Sequence, residues 1–210
     1  VIDYGLNLFS GPSGFIKGSE GDQHEQADHR MLWGGRLMHG FSPLANTDLS
    51  WGLQWRHDRI KQLGLYDTVD RQRTHTVRED RVEQDGLGLF AEARRQWTPW
   101  LRGSLGLRWD SLRTKNTAIA GAFNLGNGGR ASKTQLSPKL GLIARVNSDT
   151  ELYAHWGRGF RSNDVRGATS LINPADGSAA ERLPLLARTQ SSELGLRLRP
   201  APGWNSSVTL

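Results

Sequence analysis

Apolar and polar residues alternate at every second position along much of this chain, and no other feature limits its fold as strongly. In residues 101–110 the apolar set is Leu101, Gly103, Leu105, Leu107 and Trp109, and the intervening set is Arg102, Ser104, Gly106, Arg108 and Asp110. A period of two residues places successive side chains on opposite faces of a β-strand, whereas a helix needs a period of 3.6. The pattern therefore predicts a strand with one apolar face and one charged face.

The same alternation recurs along the chain and predicts about nine strands. It is clear in residues 49–56 and 193–199, and looser in residues 2–8, 31–39, 87–93, 136–146, 152–156 and after Trp204. These lengths are near the ~9–11 residues with which a tilted strand crosses a membrane. A content of 25 glycines and 8 tryptophans among 210 residues also favours turns and pleated surfaces over a helical bundle. The predicted fold class is all-β.

The predicted connections alternate between short and long. The short ones are residues 41–47, 98–99, 147–150 and 200–203, and the long ones are residues 10–27, 61–81, 114–131 and 162–187. The long connections therefore all fall at one end of the sheet. A soluble β-sandwich, the alternative, has no reason for this arrangement, whereas outer-membrane barrels have short periplasmic turns and long extracellular loops. The sequence predicts an antiparallel up-and-down transmembrane β-barrel.

Tryptophans fall near both ends of the predicted strands. Trp97, Trp100 and Trp204 lie at short turns, and Trp55 and Trp109 lie near long loops. Amphipathic rings favour the membrane–water interface, so two aromatic belts are predicted. The alternative is that tryptophan is here simply a good strand former.

The chain begins inside one predicted strand and ends inside another. In lipid only a closed barrel satisfies every backbone donor and acceptor, and single-chain bacterial barrels close with even strand numbers. We therefore expect residues 1–210 to be part of a larger barrel, about nine strands of it. The alternative is a smaller passive barrel of ~8–10 strands, a pore or structural protein complete at about this size.

Basic residues outnumber acidic ones by 27 to 21, and arginine dominates them, with 22 arginines against 5 lysines. Several arginines are spread singly over the polar faces of different strands, namely Arg102, Arg108, Arg145, Arg197 and Arg199. A nucleic-acid surface would cluster them in one stripe, so no nucleic-acid partner is predicted. We expect them to line the lumen, paired with Glu92, Glu151, Glu193 or Asp110, or with a domain inside the barrel. Rim arginines contact either outer-leaflet phosphates or solvent.

Several chemistries are excluded or disfavoured. The chain has no cysteine, so disulfides and thiol catalysis are ruled out, and no apolar run is long enough for a transmembrane helix. His24 and His29 are five residues apart in a predicted polar loop, which does not suit a helical metal site, and His155 is expected to face the lumen. Neither a G-x-S-x-G elbow nor a P-loop occurs. We predict no metal, no cofactor and no enzymatic activity.

One segment is more specific than the rest. Residues 152–167 read LYAHWGRGFRSNDVRG, preceded by LSPKLGL at 136–142 and followed by SELGLR at 192–197. In order and spacing these segments resemble barrel strands of TonB-dependent outer-membrane receptors. The resemblance implies a ~22-stranded barrel with a plugged lumen, located in the bacterial outer membrane, energised through TonB and importing a siderophore–iron or cobalamin-like ligand. The plug domain and the closing strands would lie outside residues 1–210.

The motif also supplies candidate site residues. Gly157 and Gly159 share one strand face without side chains, which allows a plug to approach closely or the strand to bend. Phe160 is expected on the lipid face with Leu152, Ala154 and Trp156. Four residues at the mouth of the following loop are candidates for rim or ligand contacts, namely Arg161, Asn163, Asp164 and Arg166. The alternative is that these four residues only hydrogen-bond the base of the loop.

Overall fold

The computed structural model describes residues 2–9 and 23–210. Nine β-strands form a single open antiparallel sheet in which each strand pairs with its neighbours in sequence. They are β1 Ile2–Phe9, β2 Gln23–Leu44, β3 Thr47–Val69, β4 Gln72–Thr98, β5 Leu101–Ala120, β6 Gly129–Arg145, β7 Thr150–Ser162, β8 Leu186–Leu198 and β9 Ser206–Thr209. The predicted all-β, up-and-down arrangement of about nine strands is confirmed.

Two short helices complete the described part of the chain. A 3₁₀ helix, Leu125–Asn127, lies between β5 and β6, and an α-helix, α1, Val165–Thr169, lies between β7 and β8. Across residues 2–9 and 23–210, no helix has the length and hydropathy needed to cross a membrane.

The two faces of the sheet differ as the alternation predicts. Leu105 and Leu107 of β5 lie on one face with 58% and 47% of their surface exposed, and their cross-strand partners on β6 are Leu140 and Pro138. We call this apolar surface the outer face. Asp110 points to the opposite, inner face, which carries most of the ion pairs, and is 7% exposed.

The short connections gather at one end of the sheet, which we call the short-turn end. They comprise residues 45–46, 99–100, 146–149 and 199–205, and their predicted shortness is confirmed. At the opposite, long-loop end the prediction is partly wrong. Residues 61–81 are not a loop, because β3 runs to Val69 and β4 starts at Gln72. Asp70 and Arg71 join them with φ values of 49° and 65°, as in the two-residue turns that match strand twist.

Two more of the predicted long loops include residues that belong to strands. The β5–β6 loop is residues 121–128, and residues 23–27 belong to β2, while residues 10–22 lie outside the described part. The β7–β8 loop, residues 163–185, is confirmed as a long connection that contains α1. Where β3 and β4 extend past the apolar outer face they carry polar side chains on both faces, so the apolar alternation that marks a strand in the sequence disappears.

The buried apolar core lies at the long-loop end, where the β7–β8 loop meets residues of β3, β4 and β5. It comprises Ile60, Val82, Leu112, Val165, Ala168, Leu185 and Leu186. Phe160 is half-buried and packs against this cluster, so its predicted place on the lipid face is wrong.

Local strand pairing explains this difference. The ladder between β6 and β7 ends at the pair Lys139–Gly157, and residues 129–138 and 158–162 are not paired with each other. We call this interruption the gap. The end of β7 is paired with β8 as far as Ser162 but has no neighbour on its β6 side, which leaves space for the Phe160 side chain to reach the core through the gap. Phe160 therefore turns toward the core rather than the lipid.

Candidate ligand-binding site

A cavity of about 680 Å³ lies at the long-loop end between the β7–β8 loop and strands β2, β3 and β4. Its walls include Arg30, Arg56, Arg78 and Arg166, supplied by β2, β3, β4 and α1 respectively. The volume is within the ~300–1,000 Å³ of small-molecule sites. We call this space the arginine cavity.

Each strand arginine of this cavity is paired with an aspartate two residues away. Arg56 Nε and Nη2 donate to Asp58 at 2.6 and 2.8 Å, Arg78 Nε donates to Asp80 at 2.8 Å, and Arg30 Nε donates to Asp28 at 2.9 Å. The spacing follows from strand geometry, because residues i and i+2 share a face. These bonds fix the orientation of each guanidinium.

The arginines keep donors beyond these pairs. A guanidinium has five N–H donors, so one aspartate does not satisfy all of them. The Nη2 group of Arg78 is buried and has no hydrogen-bond partner within residues 2–9 and 23–210. An anionic or oxygen-rich molecule in the cavity would supply the acceptors that this wall lacks.

The structure brings three of the four predicted rim residues to the arginine cavity, namely Asn163, Asp164 and Arg166. All three also hold the base of the β7–β8 loop. Asn163 Nδ2 donates to the Pro184 carbonyl at 2.7 Å, and Asp164 accepts from the Arg166 backbone N–H at 2.9 Å and from its Nη2 at 2.6 Å. Whether they also contact a ligand stays a prediction.

Asp164 sits at the start of α1, in the loop beyond the strands. Desolvation there works against its ionisation, but the hydrogen bonds and positive charge of Arg166 outweigh this effect and hold the pKa of Asp164 below its ordinary value. The carboxylate is therefore ionised at neutral pH and orients the Arg166 guanidinium at the cavity wall.

The remaining candidates lie outside the cavity. Arg161 is exposed near the end of β7, where its backbone pairs with Ala187, and its side chain forms no hydrogen bond or ion pair with a described residue. Gly157 is in the last pair joining β7 to β6. A Cβ added at Gly159 would lie 3.3 Å from Thr189 Oγ1, and one added at Gly157 would lie 3.5 Å from Lys139 Cβ. A plug contact or a bend at these glycines stays a prediction.

A buried polar network beneath the cavity was not predicted from the sequence. Asp80, fully buried on β4, accepts hydrogen bonds from Arg78 Nε at 2.8 Å, Asn116 Nδ2 at 3.2 Å and Asn124 Nδ2 at 3.3 Å. Asn116 also donates to Thr169 Oγ1 of α1 at 3.2 Å. The network connects β4, β5 and both loops through a single carboxylate.

Asn127 extends this network into the β7–β8 loop. Its Nδ2 donates to the Ile172 carbonyl at 2.8 Å, and its Oδ1 accepts from the backbone N–H groups of Leu171 and Ile172 at 3.0 and 3.1 Å. The Asn127 side chain thus satisfies three backbone polar groups of the loop, as a neighbouring strand would do in a sheet. Because buried polar groups need such partners, Asn127 fixes where the loop crosses the sheet.

One sequence signal could have identified the cavity arginines. An arginine and an aspartate recur two residues apart at Asp28 and Arg30, Arg56 and Asp58, Arg78 and Asp80, Arg108 and Asp110, and Asp164 and Arg166. In a strand this spacing places opposite charges on one face. The buried asparagines gave no such signal, since their partners are distant in the sequence.

Nearer the short-turn end, the predicted pairing of inner-face arginines is confirmed for four of the five. Glu151 contacts Arg102 at 3.0 Å, Arg197 at 3.3 Å and Arg145 at 3.9 Å, and Arg108 contacts Asp110 at 2.7 Å. Glu92 pairs instead with Arg94 and Lys139. Among the described residues Arg199 and Glu193 form no ion pair. His155 lines an inner cavity of about 790 Å³ here, as predicted.

Histidines do not form a metal site within residues 2–9 and 23–210, where no cluster of three or more suitable ligands occurs. His24 Nδ1 lies 2.8 Å from Asp67, and His29 Nδ1 lies 3.7 Å from Asp3. The predicted polar loop around them is wrong, since both belong to β2.

The β3–β4 hairpin is braced where it projects past the core. Arg73 donates to both carboxylate oxygens of Glu25 at 2.9 and 2.6 Å and lowers the pKa of Glu25. Tyr66 donates to Glu79 at 2.7 Å, and burial together with this bond raises the pKa of Tyr66 to about 12. These contacts tie β2, β3 and β4 together beyond the predicted membrane region.

The family model described as TonB dependent receptor-like, beta-barrel, matches residues 2–210. The chain belongs to this family. The predicted family and the partial barrel fold are therefore confirmed, and the motif at residues 152–167 spans β7 and the start of the β7–β8 loop.

Solved structures of this class share the fold. The alcaligin outer membrane receptor FauA from Bordetella pertussis matches with a TM-score of 0.56 and 20% identity over 89% of this chain and 29% of its own. The copper transporter OprC matches with a TM-score of 0.66 and 18% identity over 94% of this chain and 31% of its own. The ferric-catecholate import receptor Fiu from E. coli K12 matches with a TM-score of 0.66 and 11% identity over 99% of this chain and 36% of its own.

The chain therefore spans about a third of the length of each of these structures. No curated protein sequence matches it.

Proposed function

We propose that this chain is part of the barrel of a bacterial outer-membrane receptor that imports a scarce ligand with energy delivered through TonB. The family match over residues 2–210 is the observation that carries the proposal. In this proposal the plug domain, which contacts TonB, and the remaining strands lie outside residues 1–210. The surroundings are outer-membrane lipid and lipopolysaccharide, and no enzymatic activity is proposed.

The arginine cavity is the proposed ligand-contact region of this chain. Four arginines converge there, and Arg78 Nη2 is left without a partner among the described residues. Such donors suit an anionic or oxygen-rich small molecule or metal chelate. Ferric siderophores have these properties, and the printed names of FauA and Fiu refer to an alcaligin receptor and a ferric-catecholate import receptor. A cobalamin-like ligand is a second candidate from the sequence.

The proposal is tested by uptake in cells that express the full-length receptor. The probes are radiolabelled ferric hydroxamate, ferric catecholate and cobalamin, each measured with and without functional TonB. We expect saturable uptake of one probe that depends on both the receptor and TonB. Uptake that persists without TonB and rises linearly with concentration would instead support a passive pore and contradict the proposal.

The cavity is tested separately with two substitutions. Arg56→Gln replaces one arginine of the cavity wall by a shorter, neutral side chain, and Arg95→Gln makes the same change at an exposed arginine at the short-turn end. We expect Arg56→Gln to raise the KM of uptake about tenfold, the scale of one charge-assisted hydrogen bond, and Arg95→Gln to leave it unchanged. Equal effects of the two substitutions on KM would show that the arginine cavity does not contact the ligand, and would not contradict the proposed transport.

A further inference from the structure

Four basic side chains cluster on the outer face of the sheet, opposite to the face that carries the paired arginines. A cavity of about 410 Å³ opens between β3, β4 and β5 and is lined by Arg59, Lys61, Arg81 and Lys115, together with Glu83. Four cations surround one carboxylate. We call these four residues the outer basic cluster.

These cations differ from the inner-face arginines in their partners. On the inner face Arg56, Arg78 and Arg108 each pair with an aspartate at 2.8 Å or less. Within residues 2–9 and 23–210, no member of the outer basic cluster forms an ion pair. The cluster therefore has uncompensated positive charge, which a bound anion would offset.

Cross-strand register places the cluster directly above the apolar band. Arg59 is opposite Glu83, and Glu83 is opposite Lys115, so one row of the sheet crosses the cluster. The next outer-face row toward the short-turn end contains His57 and Asp85, joined at 2.6 Å. The row after that contains Trp55 and Leu87, which begin the apolar outer face.

The distance from the tryptophan matches the depth of lipid headgroups. Arg59 is four residues above Trp55, about 13 Å along a strand. Strand tilt reduces the height above the ring, and long arginine and lysine side chains reach several ångströms toward the interface. The polar headgroup layer extends roughly 5–8 Å beyond the hydrocarbon on each side. Phosphates of that layer are therefore within reach of the cluster.

We propose that the outer basic cluster binds the phosphate groups of lipid A in the outer leaflet. The proposal rests on the outer-membrane location included in the proposed function, and not on the imported ligand. Lipid A is the occupant because the cluster faces the lipid rather than the lumen, and because arginine and lysine are the side chains that bind phosphate. A free phosphate ion would lack the acyl chains that contact the apolar rows below.

The test uses the full-length receptor in detergent micelles and bis-phosphorylated lipid A as the probe. R81Q/K115Q removes two charges of the cluster, and R95Q/R199Q removes two exposed charges at the short-turn end. R81K/K115R keeps the charge and reports on folding. We expect R81Q/K115Q to weaken lipid A binding about tenfold or more, and the other two variants to bind within about threefold of the parent protein.

Equal binding by R81Q/K115Q and R95Q/R199Q would overturn the proposal, as would equal loss in R81K/K115R. Phosphate-free lipid A and inorganic phosphate distinguish the contributing groups. Binding of phosphate-free lipid A at parental strength, or saturation of the site by inorganic phosphate alone, would also overturn it. Uptake is measured on the same variants, so a receptor that binds lipid A but transports no probe contradicts only the proposed function.

Discussion

Arg188 of β8 donates a hydrogen bond of 3.0 Å to Gln135 of β6 across the gap. Backbone pairing between β6 and β7 has ended by this level, so a side-chain contact bridges strands that the ladder does not join. A second arginine in the same hairpin provides a control, because Arg158 donates to Gln190 at 3.1 Å between strands that are fully paired.

Arg188→Ala is therefore expected to loosen the gap. Amide hydrogen exchange in residues 129–138 and 186–190 should accelerate several-fold, because each segment has a backbone ladder on one side only and loses the side-chain bridge on the other. Arg158→Ala should leave exchange there unchanged. Similar exchange in both variants would show that Arg188 does not hold the gap closed.

Asn124 is expected to be the most sensitive residue of the β5–β6 loop. Its buried Nδ2 lies within hydrogen-bond distance of the carbonyls of Glu79 and Ala120 and of Asp80 Oδ1. Asn124→Ala should destabilise this end of the barrel by about 1–3 kcal/mol, the cost of leaving buried acceptors unpaired. Limited proteolysis of the folded full-length receptor should then cut residues 163–185 faster. Asn205→Ala, at an exposed position, is the control, and equal cleavage would contradict the assignment.

Charged substitutions on the outer face are expected to lower the free energy of unfolding. Leu105→Arg or Leu107→Arg should cost roughly 2–4 kcal/mol near the bilayer midplane, whereas Ser104→Asn on the inner face should be mild. Reversible unfolding of the full-length receptor in lipid vesicles measures the difference. Equal tolerance at Leu105 and Ser104 would mean that the faces are assigned the wrong way round.

The order of the β7–β8 loop should depend on pH through Asp164. Its pKa in the folded loop lies below the ordinary value of 3.8, so the ionised carboxylate stabilises the loop at pH values above 3.8. That contribution declines as the pH falls through the lower, folded-state pKa. Protection factors of the loop amides, which correct the measured exchange for its intrinsic pH dependence, should therefore stay constant from neutral pH to about pH 4 and decrease below it.

Arg166→Gln tests the cause of this pH dependence. It removes the charge that lowers the pKa of Asp164 and leaves the opposing effect of desolvation in place. The loss of amide protection in the loop should therefore move to higher pH. An unchanged midpoint in Arg166→Gln would show that Arg166 does not set the ionisation of Asp164.

The membrane-spanning part of the fold was predictable because lipid and lumen impose opposite demands on alternate residues. Leu105, Leu107 and Asp110 show this contrast directly. Residues 61–81 lack the contrast, so the sequence predicts a loop where the structure has two strands. Phe160 follows the alternation in sequence, yet missing strand pairing turns it inward. A break in pairing is a property of two strands together and leaves no mark in either one.

The candidate site was only partly predictable for a related reason. The motif at residues 152–167 identified Asn163, Asp164 and Arg166, which are close together in sequence. Arg30, Arg56 and Arg78 come from three other strands, and only register brings them to the same cavity. Their aspartate partners two residues away were visible, but no local pattern shows which of several such pairs face each other.

The pairing of β3 and β4, which extends through three register shifts up to Asp70 and Arg71, affects how this end of the protein meets other molecules. A flexible loop loses conformational entropy when a partner binds it, and this loss weakens the association. The backbone of residues 61–69 and 72–81 is already ordered by the ladder and by the Glu25–Arg73 contact. Anything that binds the hairpin therefore meets a preorganised surface, and substitutions there are expected to alter affinity through contacts rather than through ordering of the backbone.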